Sequence, residues 1–182
     1  MRDCQGCGKM VVGVVVGLAL GSCAGLRAEP GRSVPTMSEP SPAATLDALH
    51  DAATRAEGER YFALFMPEAV FLGTDSTERW TLTEFKAYAQ PIFSRGQGWA
   101  YAPSDRHVML SADGATAWFD ERVTNAKYGE CRGTGVLQRG GDGQWRVAQY
   151  NLTKPVPNDL MDEFVQRMRD HGKVPDSSGG LF

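Results

Sequence analysis

Histidine is scarce in this 182-residue chain: His50, His107 and His171 lie far apart in sequence. That is too few for a histidine-built metal centre, and no metal or other cofactor is expected. Cysteine is nearly as sparse. Cys4, Cys7 and Cys23 fall in the first 23 residues and Cys131 stands alone beyond them, which excludes a disulfide framework. Positive charge is not in excess: 19 Lys and Arg face 22 Asp and Glu, a formal charge of −3. With no basic field to hold phosphates, nucleic acid is not expected as a partner. Long apolar runs are missing too. The longest, residues 10–20, is too short to span a bilayer comfortably.

That short run is nevertheless informative. Arg2 and Lys9 precede it, and it ends in Leu20-Gly21-Ser22-Cys23, small residues before a cysteine. Residues 1–22 resemble a bacterial lipoprotein signal, which implies a lipid on Cys23 and a membrane-anchored protein of the bacterial cell envelope. The alternative is an ordinary secretory peptide cut near Ala28, giving a periplasmic or secreted protein. In both cases Cys4-x-x-Cys7 leaves with the leader. Residues 23–43 hold Pro30, Pro35, Pro40 and Pro42 among serines and small residues, the composition of a flexible tether.

Order is expected from about Thr45. Leu46, Leu49, Ala52, Ala53 and Ala56 recur at helical spacing before Gly58, and a second short helix holds Tyr61, Phe62, Leu64 and Phe65 before Pro67. Residues 69–73 read as a strand. Thr81 and Glu84 form a capping box for a helix bearing Phe85, Tyr88, Ala89, Ile92 and Phe93. Residues 99–101 and 107–111 read as two strands, and Asp113-Gly114 as the hairpin turn into three more, over residues 115–153. Asn158 is the expected cap of a closing helix over 158–172, with the stripe Leu160, Met161, Phe164, Val165 and Met168. Residues 173–182 read as a disordered tail. Helices, one strand, a helix, then consecutive antiparallel strands make an α+β layout, with the domain over residues 44–160.

Turn lengths allow a register to be set. A turn at residues 127–130 places Glu121 opposite Val136 and Val123 opposite Thr134. A connection at 139–144 places Thr134 opposite Gln149 and Arg132 opposite Asn151. One face then gathers Glu121, Arg132, Thr134, Gln149 and Asn151, an internal salt bridge with its amides or the polar floor of a ligand pocket. Trp80, Trp99 and Tyr101 are the candidate aromatic walls, and core residues otherwise. The opposite face, with Trp118, Leu137 and Tyr150, is too apolar for bare solvent and suits a second copy.

The segment Phe71-Leu72-Gly73-Thr74-Asp75 with Glu78 and Trp80 carries a resemblance, as do Ala117-Trp118-Phe119-Asp120-Glu121, Arg132-Gly133-Thr134-Gly135 and the run from Trp145 to Leu152. Across about residues 45–160 the chain resembles the nuclear transport factor 2-like superfamily, in its SnoaL-like branch. The resemblance implies a cone-like roll: a strongly curved antiparallel sheet packed on N-terminal helices, with an internal pocket, usually in homodimers. Members include ketosteroid-isomerase-like enzymes, polyketide cyclases and dehydratases, and a fold does not choose among them. Isomerase-like members carry an aspartate base at the end of the first strand, where this chain has Gly73, two residues short of Asp75. Many SnoaL-like chains close the last strand with a histidine where this chain has Asn151.

Two functions stay open on these residues. One is a tethered, non-catalytic domain binding a small, partly apolar ligand. The other is an isomerase-, cyclase- or dehydratase-type enzyme in which Glu121 or Asp75 is the base and Arg132 stabilises an enolate-like oxygen. A raised pKa on an unpaired Glu121 favours the second; a closed ion pair favours the first. Asp75 and Glu78 read as a carboxylate pair at the pocket mouth or, by preference, as a capping arrangement, and Cys131 reads as a small strand residue.

Overall fold

Ser41 starts the first helix. Its side chain accepts from Ala44 N at 3.2 Å and Pro42 supplies the fixed first-turn φ, so helix α1 runs Pro42–Thr54, a few residues ahead of the expected start at Thr45. The computed structural model describes residues 40–174. The leader at 1–22, Cys23, most of the tether and the tail beyond 174 lie outside the described residues.

Leu46, Leu49, Ala52 and Ala53 bury one stripe of α1. Helix α2, Gly58–Ala63, adds Tyr61 and Phe62. Phe65 leaves the expected helix and instead opens strand β1, Phe65–Leu72. Pro67 is accommodated in that strand because the pairing of β1 slips between Phe65 and Val70. Strand β2, Arg79–Thr81, folds back on β1 and was not foreseen, its three residues being too few to show a period. Helix α3, Leu82–Phe93, starts on the complete Thr81–Glu84 capping box and buries Phe85, Ala89 and Phe93.

Four long strands follow: β3, Ala102–Leu110; β4, Thr116–Asn125; β5, Gly129–Arg139; and β6, Trp145–Thr153. The two short strands expected around residues 99–111 are thus one strand, β3, with an irregularity between Ser104 and His107 where Asp105 takes a positive φ of 43°. Residues 99–101 lie before it, outside any strand. The sheet order is β2-β1-β6-β5-β4-β3. All neighbours are antiparallel except β1 and β6, which run parallel and close the long excursion from the first strand to the last. The α+β architecture of a curved sheet on N-terminal helices therefore holds, with one parallel pair within it.

Aromatic rings fill the space between helices and sheet. Tyr61, Phe62, Phe65, Phe85 and Phe93 are buried, and Phe71 stacks on Phe85 at 3.9 Å between centroids. Each such ring contributes about 1.5–3 kcal/mol through burial. After Pro157 a 3₁₀ turn, Asn158–Leu160, leads into helix α4, Met161–Asp170. Asn158 begins that turn rather than capping the helix, and none of the stripe on α4 is buried.

Candidate functional site

The β4–β5 hairpin turns one residue earlier and more tightly than expected. Asn125 pairs with Gly129, so Glu121 faces Gly133, Val123 faces Cys131 and Arg122 faces Arg132. The offset is odd, and an odd offset exchanges the faces of a strand. Between Leu137–Val147 and Val136–Gln149 a bulge in β6 shifts the register once more. The inner face now carries Glu121 with Gly133, Leu137, Val147, Tyr150 and Leu152. Arg132, Thr134, Gln149 and Asn151 stand on the outer face, where Arg132 and Gln149 are exposed. The expected polar cluster with Glu121 does not form, and Arg132 is not the partner of Glu121. Nor does Tyr150 lie beside Trp118 on the outer face.

Glu121 instead finds its partners on α1, β3 and β6. Its side chain has no exposed surface. Oε1 meets Nε2 of His50 at 2.7 Å and accepts from the Tyr150 hydroxyl at 3.2 Å, while Oε2 accepts from Nε of Arg106 at 2.7 Å. Arg106 also donates to the Ala43 carbonyl at 3.1 Å and to Asp47 at 2.6 Å, tying β3 to the start of α1. Gly133 makes the arrangement feasible, because a Cβ there would collide with the Tyr150 hydroxyl and crowd Glu121 Oε1. Burial pushes the Glu121 pKa up. The hydrogen bond and charge of His50, then those of Arg106, outweigh it and leave Glu121 below the ordinary glutamate value of 4.5. Burial also lifts the Tyr150 phenol well above its usual range, with the Glu121 charge adding to the effect. Glu121 is thus ionised with both carboxylate oxygens engaged by neighbouring groups, which lowers its basicity.

The open space lies beside this network. A cavity of about 260 Å³ is bounded by β1, β2, α3 and the segment before β3, with Phe71, Trp80, Phe85, Trp99, Tyr101 and Leu152 among its walls. A second space of about 20 Å³, water-sized, shares Phe71, Trp99, Tyr101 and Leu152 with it and is also lined by His50 and Tyr150. The aromatic candidates Trp80, Trp99 and Tyr101 thus border the cavity. Burial first, then the nearby Cys131 and Tyr128, push the Tyr101 phenol up to about 12.

The mouth of the cavity holds Glu78 and Gly73. A Cβ on Gly73 would fall onto the Glu78 carboxylate, so the glycine leaves room for an acid delivered from five residues downstream. Glu78 Oε2 accepts the Asp75 amide at 3.2 Å. Asp75 itself is fully exposed and accepts from Thr77 N and Oγ1 at 2.9 and 2.6 Å, hydrogen bonds that hold its pKa below the usual carboxylate range. Asp75 closes a turn and does not line the cavity. His107 is exposed on the outer side of β3. Among the described residues no three His, Cys, Asp or Glu side chains converge as metal ligands would.

Sequence reasoning passed over His50 and Arg106, and of the pair Asp75 and Glu78 only Glu78 borders the cavity. His50 carried a usable signal, since it sits four residues after Leu46 and three before Ala53, inside the apolar stripe of α1. Arg106 carried none, its inward aim depending on the irregularity at Asp105.

Many solved structures share the fold, among them these three. A domain of unknown function with a cystatin-like fold from Nostoc punctiforme is 18% identical, with a TM-score of 0.56 over 70% of this chain and 82% of its own. A putative ketosteroid isomerase from Parabacteroides distasonis is 13% identical, with a TM-score of 0.55 over 68% and 95%. A putative dehydratase of the NTF2-like family from Streptomyces avermitilis is 14% identical, with a TM-score of 0.52 over 63% and 94%. No curated protein matches the sequence. The model of the SnoaL-like domain matches residues 43–157, from the start of α1 to the end of the sheet, and the chain belongs to that family.

Proposed function

We propose that this is a small-molecule-binding domain whose ligand enters the aromatic cavity, without chemistry at Glu121. The observation that carries the reading is the separation of the two features. The cavity is walled by aromatic rings, whereas the buried carboxylate behind it is consumed by His50, Arg106 and Tyr150. Native mass spectrometry of the purified chain, with thermal-shift screening against small aromatic compounds, tests it. A retained small molecule or a saturable rise in melting temperature is expected. A chain that holds nothing and is stabilised by nothing contradicts it.

The leader supports placing this domain at the cell envelope on a lipidated Cys23. Membrane fractionation that Cys23→Ala abolishes is the expected outcome, and unchanged fractionation rejects the anchor. The outer face of β3–β6, rather than the surface bearing Tyr150, is the proposed homodimer contact. There Met109, Trp118 and Val136 form a row across three strands, with Trp118 44% exposed.

A second reading, an enzyme of the isomerase or dehydratase kind, is favoured by one observation: Glu78 fills the space beside Gly73 with a carboxylate that borders the cavity. In that reading Glu78 is the base, in place of Glu121 or Asp75. Proton exchange into a small ketone that Glu78→Gln abolishes would support it, and exchange no faster than in buffer would reject it.

A further inference from the structure

Seven aromatic side chains and one carboxylate border the larger cavity, and among the described residues no lysine or arginine does. Aliphatic walls would serve a neutral apolar ligand equally well. What aromatic walls add is the negative potential on the ring faces, which attracts positive charge. Two of these rings, Tyr101 and Tyr128, have no ring partner among the described residues. Half-exposed Tyr128 carries Lys127, whose Nζ lies 4.9 Å from its centroid. That contact takes up one face of Tyr128. Trp80 and Tyr88 stack at 5.0 Å along the opposite wall.

Glu78 gives the cavity its charge. It is half-buried at the mouth, accepts one long hydrogen bond from a backbone amide, and has no ion-pair partner within 4 Å among the described residues. The strand alternation of β2 leaves Arg79 exposed and away from the side on which Trp80 packs. Lys127 lies beside the cavity with its Nζ over the wall residue Tyr128, Lys154 donates to the Glu130 carbonyl at 2.9 Å, and the charge of Lys173 reaches Asp75; none of the three pairs with Glu78 within 4 Å. Glu78 thus borders an aromatic-walled site with no ion-pair partner within 4 Å among the described residues, and a net charge of −3 on the chain favours the approach of a cation.

We propose that the cavity selects a small organic cation, an alkylammonium or quaternary ammonium group held among Trp80, Trp99, Tyr101 and Tyr128 with Glu78 as its counter-charge. This rests on the reading that the cavity binds a small molecule. The test is calorimetric titration of the full chain at low salt with choline, with its neutral isostere dimethylbutanol, in which carbon replaces the ammonium nitrogen, and with indole as a neutral aromatic probe. Choline should bind roughly tenfold or more tightly than dimethylbutanol. Glu78→Gln keeps the oxygen that accepts the Asp75 amide and should weaken choline roughly tenfold while leaving dimethylbutanol unchanged. Dimethylbutanol binding as tightly as choline, or indole binding where choline does not, overturns the cation assignment and leaves the pocket reading standing. Failure of all three probes overturns both. Choline affinity unaffected by Glu78→Gln, in a variant that melts like the wild type, overturns the role of Glu78.

Discussion

Glu121 is held by three donors from three elements, and its chemistry follows from their number. An ionised carboxylate taken out of water is costly unless every partner is present. Here His50, Arg106 and Tyr150 supply the partners. Glu121→Gln removes the anion, leaving the Arg106 guanidinium with Asp47 alone as its counter-charge, and should cost about 3 kcal/mol by denaturant titration at neutral pH. The pH dependence has a definite sign. The folded-state pKa lies below the ordinary value of 4.5, so the contribution is full above that value and is lost as pH falls through the lower one. The stability gap between wild type and Glu121→Gln should therefore close on acidification. A gap that is constant from neutral to strongly acid pH would show that the carboxylate is not ionised in the native state.

At the scale of elements, what could be read from the sequence divided along local and non-local lines. The Thr81–Glu84 box, the α1 stripe and the Asp113-Gly114 turn depend on neighbours within a few residues, and each was legible. The face of β5 depends on where one turn closes. Moving the pairing so that Asn125 meets Gly129 carried Arg132 and Thr134 to the other side, and the β6 bulge sent Tyr150 inward. Trp80, Trp99 and Tyr101 were legible as cavity-or-core aromatics because size alone brings such rings toward an interior. His50 and Arg106 were not, because a charged partner across the sheet leaves no local mark. Helix α4 is the element least bound to the rest. No residue in it is buried, and Phe164 is 43% exposed. Ending the chain before Asn158 should change stability by less than about 1 kcal/mol in a denaturant melt, since little apolar area is returned to water. A loss of several kcal/mol would mean that α4 packs on the domain more fully than its exposure indicates.

For the whole molecule, the two surfaces of the sheet differ in what they carry. The inner surface of the sheet builds the core, the Glu121 network and the cavity. The outer surface, with Trp118 at its centre, faces away from all three. An exposed tryptophan flanked by Met109 and Val136 across strands is the feature expected of a contact with a second copy. Sedimentation at micromolar concentration should give a dimer for the wild type and a monomer for Trp118→Glu, with the melting profile of the isolated fold retained. A wild type that sediments as a monomer rejects that contact.

The central claim is that the aromatic cavity, and not the buried carboxylate, is the functional centre. The most direct measurement is the affinity of one neutral aromatic probe, indole, for the wild type, for Leu152→Trp and for Glu121→Gln, titrated below the melting temperature of each. Leu152 borders both spaces, so the larger ring should fill them and weaken binding roughly tenfold or more. Glu121→Gln should bind within about twofold of the wild type, since the carboxylate lies behind the wall. Indole binding that survives Leu152→Trp and is lost in folded Glu121→Gln would contradict the claim.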